Sequence, residues 1–199
     1  GDRDPNTTAI EVGIRPDIID VVGQSNITIS GLTIAMNNQP RPGGYNPEAG
    51  HYNHADGTCQ GIELSEDCHN ITIVNNKFTN LVMGIAPRRD EGTPPNYYRN
   101  LRITDNDFLN IDDQAVTVGV DGGWARDITI LRNRFCYIGE RQQSRNYASM
   151  PAISINELTS GEIAGNMIYV AWGQGIDLTA ATGSTGQPGD QVKVLVHHN

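Results

Sequence analysis

At 199 residues the chain has the length of one ordinary domain, large enough to bury a core, and residues 1–199 read as a single unit. A net charge of −9, with only Lys77 and Lys193 against twelve arginines, leaves no basic stripe to neutralise phosphates and disfavours nucleic acid. No apolar run approaches membrane-spanning length, and the opening GDRDPNTT is no signal peptide, so a secreted form would already have lost its leader.

Taken in chain order, one pattern returns six times: NITISGLTI (26–34), NITIVNNKF (70–78), NLRITDNDF (100–108), DITILRNRF (127–135), SGEIAGNMI (160–168) and VKVLVHHN (192–199). Each row has an apolar residue, an asparagine three positions on, and an apolar residue two beyond that. The asparagines are Asn76, Asn106, Asn133, Asn166 and Asn199, with Leu32 in the first row, and by subtraction they stand 30, 27, 33 and 33 residues apart. Helical repeats have similar periods, but the alternation inside each row is two, the period of a strand.

Between these rows lies a second strand: IIDVV (18–22), GIELS (61–65), GIAPR (84–88), AVTVG (115–119), AISIN (152–156) and GIDLT (175–179). With a very short strand around the Phe of each row, every period holds three strands. That predicts an all-β solenoid of about six coils, its strands stacked into parallel sheets. Stacked asparagines at one corner would hydrogen-bond along the stack as an Asn ladder, and would tolerate the left-handed backbone of a sharp corner. The 22 glycines suit many tight turns, and three phenylalanines argue against a bulky core.

Cys59, Cys68 and Cys136 are an odd number with no zinc spacing. Cys59 and Cys68 bracket a strand that holds them too far apart for a disulfide, so all three are expected to be free. The sequons at Asn6, Asn26 and Asn70 matter only in a eukaryotic secretory host, and two of them fall at one repeat position. The chain stops at an asparagine corner with no covering helix. The expectation is a piece of a longer solenoid, or an end covered by another chain.

On these rows the chain resembles the right-handed parallel β-helix proteins of the pectate-lyase-like superfamily, over nearly its whole length. The segment DDQAVTV is similar to the paired-aspartate motif of polygalacturonases, whose two aspartates are an acid and a water-activating base; that implies roles for Asp112 and Asp113. HADGTCQGIELSEDCHNITIVNNKF is similar to the stretch holding that family's other catalytic aspartate, which implies Asp56. An extra coil separates the two stretches, and the family's Gly-His-Gly and Arg-Ile-Lys are absent. VLVHHN is similar to a histidine pair of pectate lyases, without their Trp-Ile-Asp-His.

Read from the residues alone, the outward positions of the second strand form a column: Asp20, Glu63, Ala86, Thr117, Ser154 and Asp177. The longest insertions, 39–58 and 141–150, precede strands on either side of NIDDQAV and would wall a groove with that segment as its floor. Counting from the short strands makes Asp113 and Glu140 equivalents on neighbouring coils. A separation of about 5 Å is that of a retaining glycosidase. Trp172, four after Ile168 as Asp112 is four after Phe108, stands two coils along, able to stack on a sugar. Asp112 and Asp113 equally fit a plain corner, where Asp bonds its own backbone. Glu63 and Asp177 fit solvent-facing strand positions.

His51, His54 and Asp56 have the residue types of a metal cluster on a loop without regular geometry, and substrate contact is the other reading. Arg88, Arg89 and Arg141 suit a sugar carboxylate, or carboxylates of their own loops. The expectations are therefore three. A glycoside hydrolase would use Asp112, Asp113 and Glu140 and needs no cofactor. A lyase on a uronic-acid polymer would need an arginine or bound calcium. A carbohydrate-binding or structural solenoid would do no chemistry, and forming a trimer would cover its sheet faces. All three imply a polysaccharide partner and an extracellular or periplasmic location.

Overall fold

The computed structural model describes residues 17–35, 60–65, 67–87, 97–119, 124–139, 151–180 and 193–199, and none of these lies in a helix. Seventeen strands follow one another: β1 Asp17–Val22, β2 Ser25–Ser30, β3 Thr33–Ala35, β4 Gln60–Ser65, β5 Asp67–Val74, β6 Lys77–Leu81, β7 Met83–Pro87, β8 Tyr97–Thr104 and β9 Asp107–Ile111. They continue as β10 Val116–Val118, β11 Trp124–Leu131, β12 Arg134–Ile138, β13 Ile153–Leu158, β14 Ser160–Ala164, β15 Met167–Ala171, β16 Ile176–Ala180 and β17 Lys193–His197.

Every pairing between them is parallel. β1, β4, β7, β10, β13 and β16 neighbour one another in that order, as do β2, β5, β8, β11, β14 and β17. The two runs join into one 12-stranded sheet where Ala125 pairs with Leu158. β3, β6, β9, β12 and β15 form a separate 5-stranded sheet. Parallel strands in curled sheets are compatible with a β-solenoid.

Alternation explains the core. Ile71 and Ile73 on β5, Leu101 and Ile103 on β8, and Ile128 and Ile130 on β11 face one buried interior, paired residue to residue. On the smaller sheet Phe78, Phe108 and Phe135 stack face to face at 4.5 and 4.9 Å. Ile34 and Ile168 extend that row at either end. Three phenylalanines are thus spent on one buried file. Apart from Tyr98 and Cys68 the rest of the core is aliphatic, in line with the scarcity of aromatics.

The asparagines do line up. Asn76 donates from its backbone N–H and its side-chain Nδ2 to Asn106 Oδ1 at 2.9 and 3.1 Å, and Asn106 repeats this on Asn133 at 3.0 Å twice. Asn133 does the same to Asn166, and Asn166 to Asn199. Leu32, which has no side-chain amide, offers only its N–H to Asn76 Oδ1. Each Nδ2 also donates to a core-strand carbonyl, of Ile29, Ile73, Ile103, Ile130 and Ile163 in turn.

One expectation is corrected. The ladder asparagines are not the left-handed residues; the residue before each is. Asn75, Asp105, Arg132, Gly165 and His198 have φ between 52° and 62°, and Gly31 before Leu32 has 70°. A left-handed residue immediately ahead turns the chain inward, and the amides of Asn76, Asn106, Asn133 and Asn166 are buried there, while Leu32 and Asn199 at the two ends are exposed.

Candidate functional site

The pairing register sets the outward column on neighbouring strands: Asp20 beside Glu63, Glu63 beside Ala86, and Thr117 beside Ser154, which is beside Asp177. Val116 lies opposite Ile85, which brings Thr117 next to Ala86. Glu63 and Asp177 stand four strands apart, roughly 19 Å. They cannot act on one bond together.

The middle of this column does not face solvent. Glu63 and Ser154 are 4% exposed, Thr117 is 1% and Ala86 is fully buried, whereas Asp20 at one end is exposed and Asp177 at the other is half-buried. Period-two alternation says which side of a strand a residue takes, not what lies over that side. The solvent-facing reading therefore fails for Glu63.

Asp112 and Asp113 occupy the turn between β9 and β10. Their N–H groups donate to the carbonyls of Leu81 and Val82, each at 2.9 Å, so the preceding turn fixes this backbone. Gly84 and Ile85 in turn donate to Gln114 and Ala115. Both aspartates are 8% exposed. Each still has interacting neighbours, as do Gln60 and Glu63. Thr117 Oγ1 donates to Gln114 Oε1, tying the turn to the outward column.

Of the buried polar residues, Asn76, Asn106, Asn133 and Asn166 belong to the ladder, and Thr104 precedes it. The remaining six, Gln60, Glu63, Asp112, Asp113, Thr117 and Ser154, all fall on the β4–β7–β10–β13 strands or on the turn that enters β10. Among the described residues, polar burial outside the ladder and Thr104 is concentrated in one region.

Trp172 follows β15, and its N–H bonds the Ile138 carbonyl, as Gly139 N–H bonds Ile111. Asp112, Gly139 and Trp172 therefore take equivalent places on successive turns, which puts Trp172 about 10 Å from Asp112 along the stack. It is 51% exposed. Glu140, the partner expected for Asp113, lies outside the described residues. So do Asp56, His54, His51, Arg88, Arg89 and Arg141.

Charged pairs on the smaller sheet sit at the other end of its strands from this turn. Arg134 grips Asp107 and Arg132 grips Asp105, each through two hydrogen bonds of 2.6 to 3.0 Å. The Arg132 hydrogen bonds hold the Asp105 carboxyl below the usual carboxylate range. His197 contacts Glu162 at 3.1 Å and His198 at 2.7 Å, on the edge strand β17. That cluster is remote from the aspartates, on the other run of strands. Cys68 is a free buried thiol donating to the Val21 carbonyl, Cys136 is free and half-buried, and Cys59 lies outside the described residues. Among the described residues no group of three His, Cys, Asp or Glu side chains gathers to hold a metal ion.

Counting along the chain missed the buried Gln60, Gln114, whose amide accepts from Thr117, and the exposed Tyr137 and Tyr169 on the strands that lead to Gly139 and Trp172. Gln174, equivalent to Gln114 on a later turn, was the available signal. Comparison with protein-family models, curated proteins and solved structures yields no match.

Proposed function

We propose that the chain winds as a right-handed parallel β-helix of the pectate-lyase-like kind, with three strands in each of about six coils, and that it hydrolyses a polysaccharide at the Asp112–Asp113 turn. The strand-to-strand parallel register and the continuous asparagine chain support the winding. The observation that carries the function is the convergence of buried polar groups. Among the described residues, those outside the ladder and Thr104 lie on the sheet and turn around two adjacent carboxylates. Buried polar groups have to be matched, and matched acids and amides gathered around one turn suit a site for a polar ligand.

Adjacent acids in a shielded place suit glycoside hydrolysis, where one carboxyl group holds a proton for the leaving oxygen while another acts as nucleophile or activates water. In this reading Asp113 supplies one of the two and Glu140, its equivalent by sequence count, the other. A pair about 5 Å apart leads to retention of configuration. Trp172 stacks on a ring of the bound chain, and Asp177 reaches a hydroxyl farther along it. Such a protein works outside the cytoplasm, where its polymer is.

Replacing Asp113 with Asn keeps the shape and removes the acid. We expect cleavage of a glycan panel to fall by at least about 100-fold with little change in melting temperature. A fully active variant would remove Asp113 from the site. The same panel separates the other chemistries: unsaturated uronide absorbance that disappears with chelator would mean elimination. Column retention without shorter products would mean a binding module, a reading that the exposed Trp172 also favours.

A further inference from the structure

We propose that Tyr137, Tyr169 and Trp172 form a stacking platform for the sugar rings of a bound glycan, running from the Asp112–Asp113 turn along the outer face of β12 and β15. The proposal rests on the polysaccharide reading above and adds where the polymer lies.

It starts from a broken ladder. The next-to-last residues of β6 and β9 are Asn80 and Asn110, left-handed with φ of 54°, and Asn110 Nδ2 donates to Asn80 Oδ1 at 3.3 Å. On β12 and β15 the same position holds Tyr137 and Val170, still left-handed at 58° and 57°. Asparagine adopts that conformation readily; tyrosine does so rarely, and a β-branched valine is a true outlier. The bend is thus kept while the residue that suits it is given up. The core does not gain from the exchange, because Tyr137 is 42% exposed.

Tyr169 projects from the outer face of β15 opposite Cys136 and is 58% exposed. Its ring meets that of Tyr137 edge to face, with centroids 6.2 Å apart and planes at 87°. An edge-to-face contact steadies both rings and leaves ring faces open. Trp172 follows on the same strand end, its backbone fixed to Ile138. Tyr137 stands two residues before Gly139, whose N–H bonds Ile111, the residue just ahead of Asp112. The platform therefore begins one strand spacing from the turn that carries the acids and ends two spacings, roughly 10 Å, from it.

The chemistry favours a saccharide. A pyranose offers a C–H face and a rim of hydroxyls; Tyr and Trp offer an apolar face and a polar tip. The Arg134–Asp107 pair on the same strands puts charged hydrogen-bonding groups at the margin.

The test is equilibrium binding of cellohexaose, xylohexaose, mannohexaose and the galacturonic-acid hexamer, by calorimetry, on the Asp113→Asn protein carrying Tyr137→Asn, Tyr169→Ser or Trp172→Ala. Tyr137→Asn restores the residue suited to the bend and should fold at least as stably, so weaker binding cannot be blamed on unfolding. We expect each substitution to weaken Kd for a bound oligomer by about three- to tenfold. Undiminished affinity in a folded Tyr137→Asn protein overturns the platform, as does failure of all four oligomers to bind. So would dimers that dissociate when the aromatics are removed, which would make this face a self-association surface. Should Asp113→Asn still cleave while the aromatic variants lose affinity, the platform stands and the assignment of Asp113 falls. The opposite pattern leaves Asp113 and removes the platform.

Discussion

At the scale of the residue, the fold depends on what one asparagine side chain can do. Asn106 Oδ1 accepts from both the N–H and the Nδ2 of Asn76, while its own Nδ2 reaches the carbonyls of Ile73 and Thr104 and the amide of Asn133. No other uncharged side chain of its size both accepts and donates in this way. Asn106→Ala strands the Asn76 N–H and the Ile73 carbonyl in an apolar interior. We expect a loss of about 3 kcal/mol, read as a lowered urea midpoint with an unchanged slope. A change near zero would mean that water replaces the amide and that the ladder is dispensable. The ladder was legible because its spacing is nearly regular. The left-handed residues were not, because Asn75, Asp105, Arg132, Gly165 and His198 share no side-chain type. There the ladder's own hydrogen bonds override local preference. The exposed chain Asn26–Asn70–Asn100, linked at 3.0 and 2.9 Å, accounts for the two sequons at one repeat position.

Strands obey simpler rules. Alternation of two located each of the second-strand stretches within a residue or two of its observed ends, and the aligned rows put Phe78, Phe108 and Phe135 at one repeat position, where their rings stack. It did not foresee the joining of the two strand runs. Glu157 turns left-handed at a φ of 54° inside β13, and the strand then shifts register to reach Ala125. An irregularity of one residue leaves no periodic trace. Glycine at the start of the second strands has a measurable reason at Gly84, where an added Cβ would lie 2.3 Å from the Ala115 carbonyl oxygen and 3.0 Å from the Phe108 ring. Gly84→Ala must push apart the turn that carries Asp112 and Asp113. We expect it to lower stability by about 1–3 kcal/mol in thermal unfolding. Retained stability would show that the turn relaxes easily, contrary to a fixed backbone beneath the acids.

Across the whole molecule, register is what turns distant residues into neighbours. Thr117 and Ser154 are 37 positions apart and lie side by side. The sequence disclosed this column and the equivalence of Asp112 and Trp172, because both follow from counting. It did not disclose that Glu63, Thr117 and Ser154 are buried, since burial of an outer face depends on what crosses it. It was equally silent on Tyr137, whose position is unremarkable until its backbone angle is known.

The most direct measurement uses the native thiol of Cys136, half-buried and opposite Leu109 on the adjacent strand. With Cys59 replaced by Ser and Leu109→Cys introduced, a bis-alkylating fluorogenic reagent that lights up only on bridging two thiols at strand spacing, about 5 Å, should label the folded protein. Labelling should vanish when Cys136 is also changed to Ser. Two singly alkylated thiols with no bridge would contradict the register, and the convergence of Asp112, Asp113 and Trp172 would be lost with it.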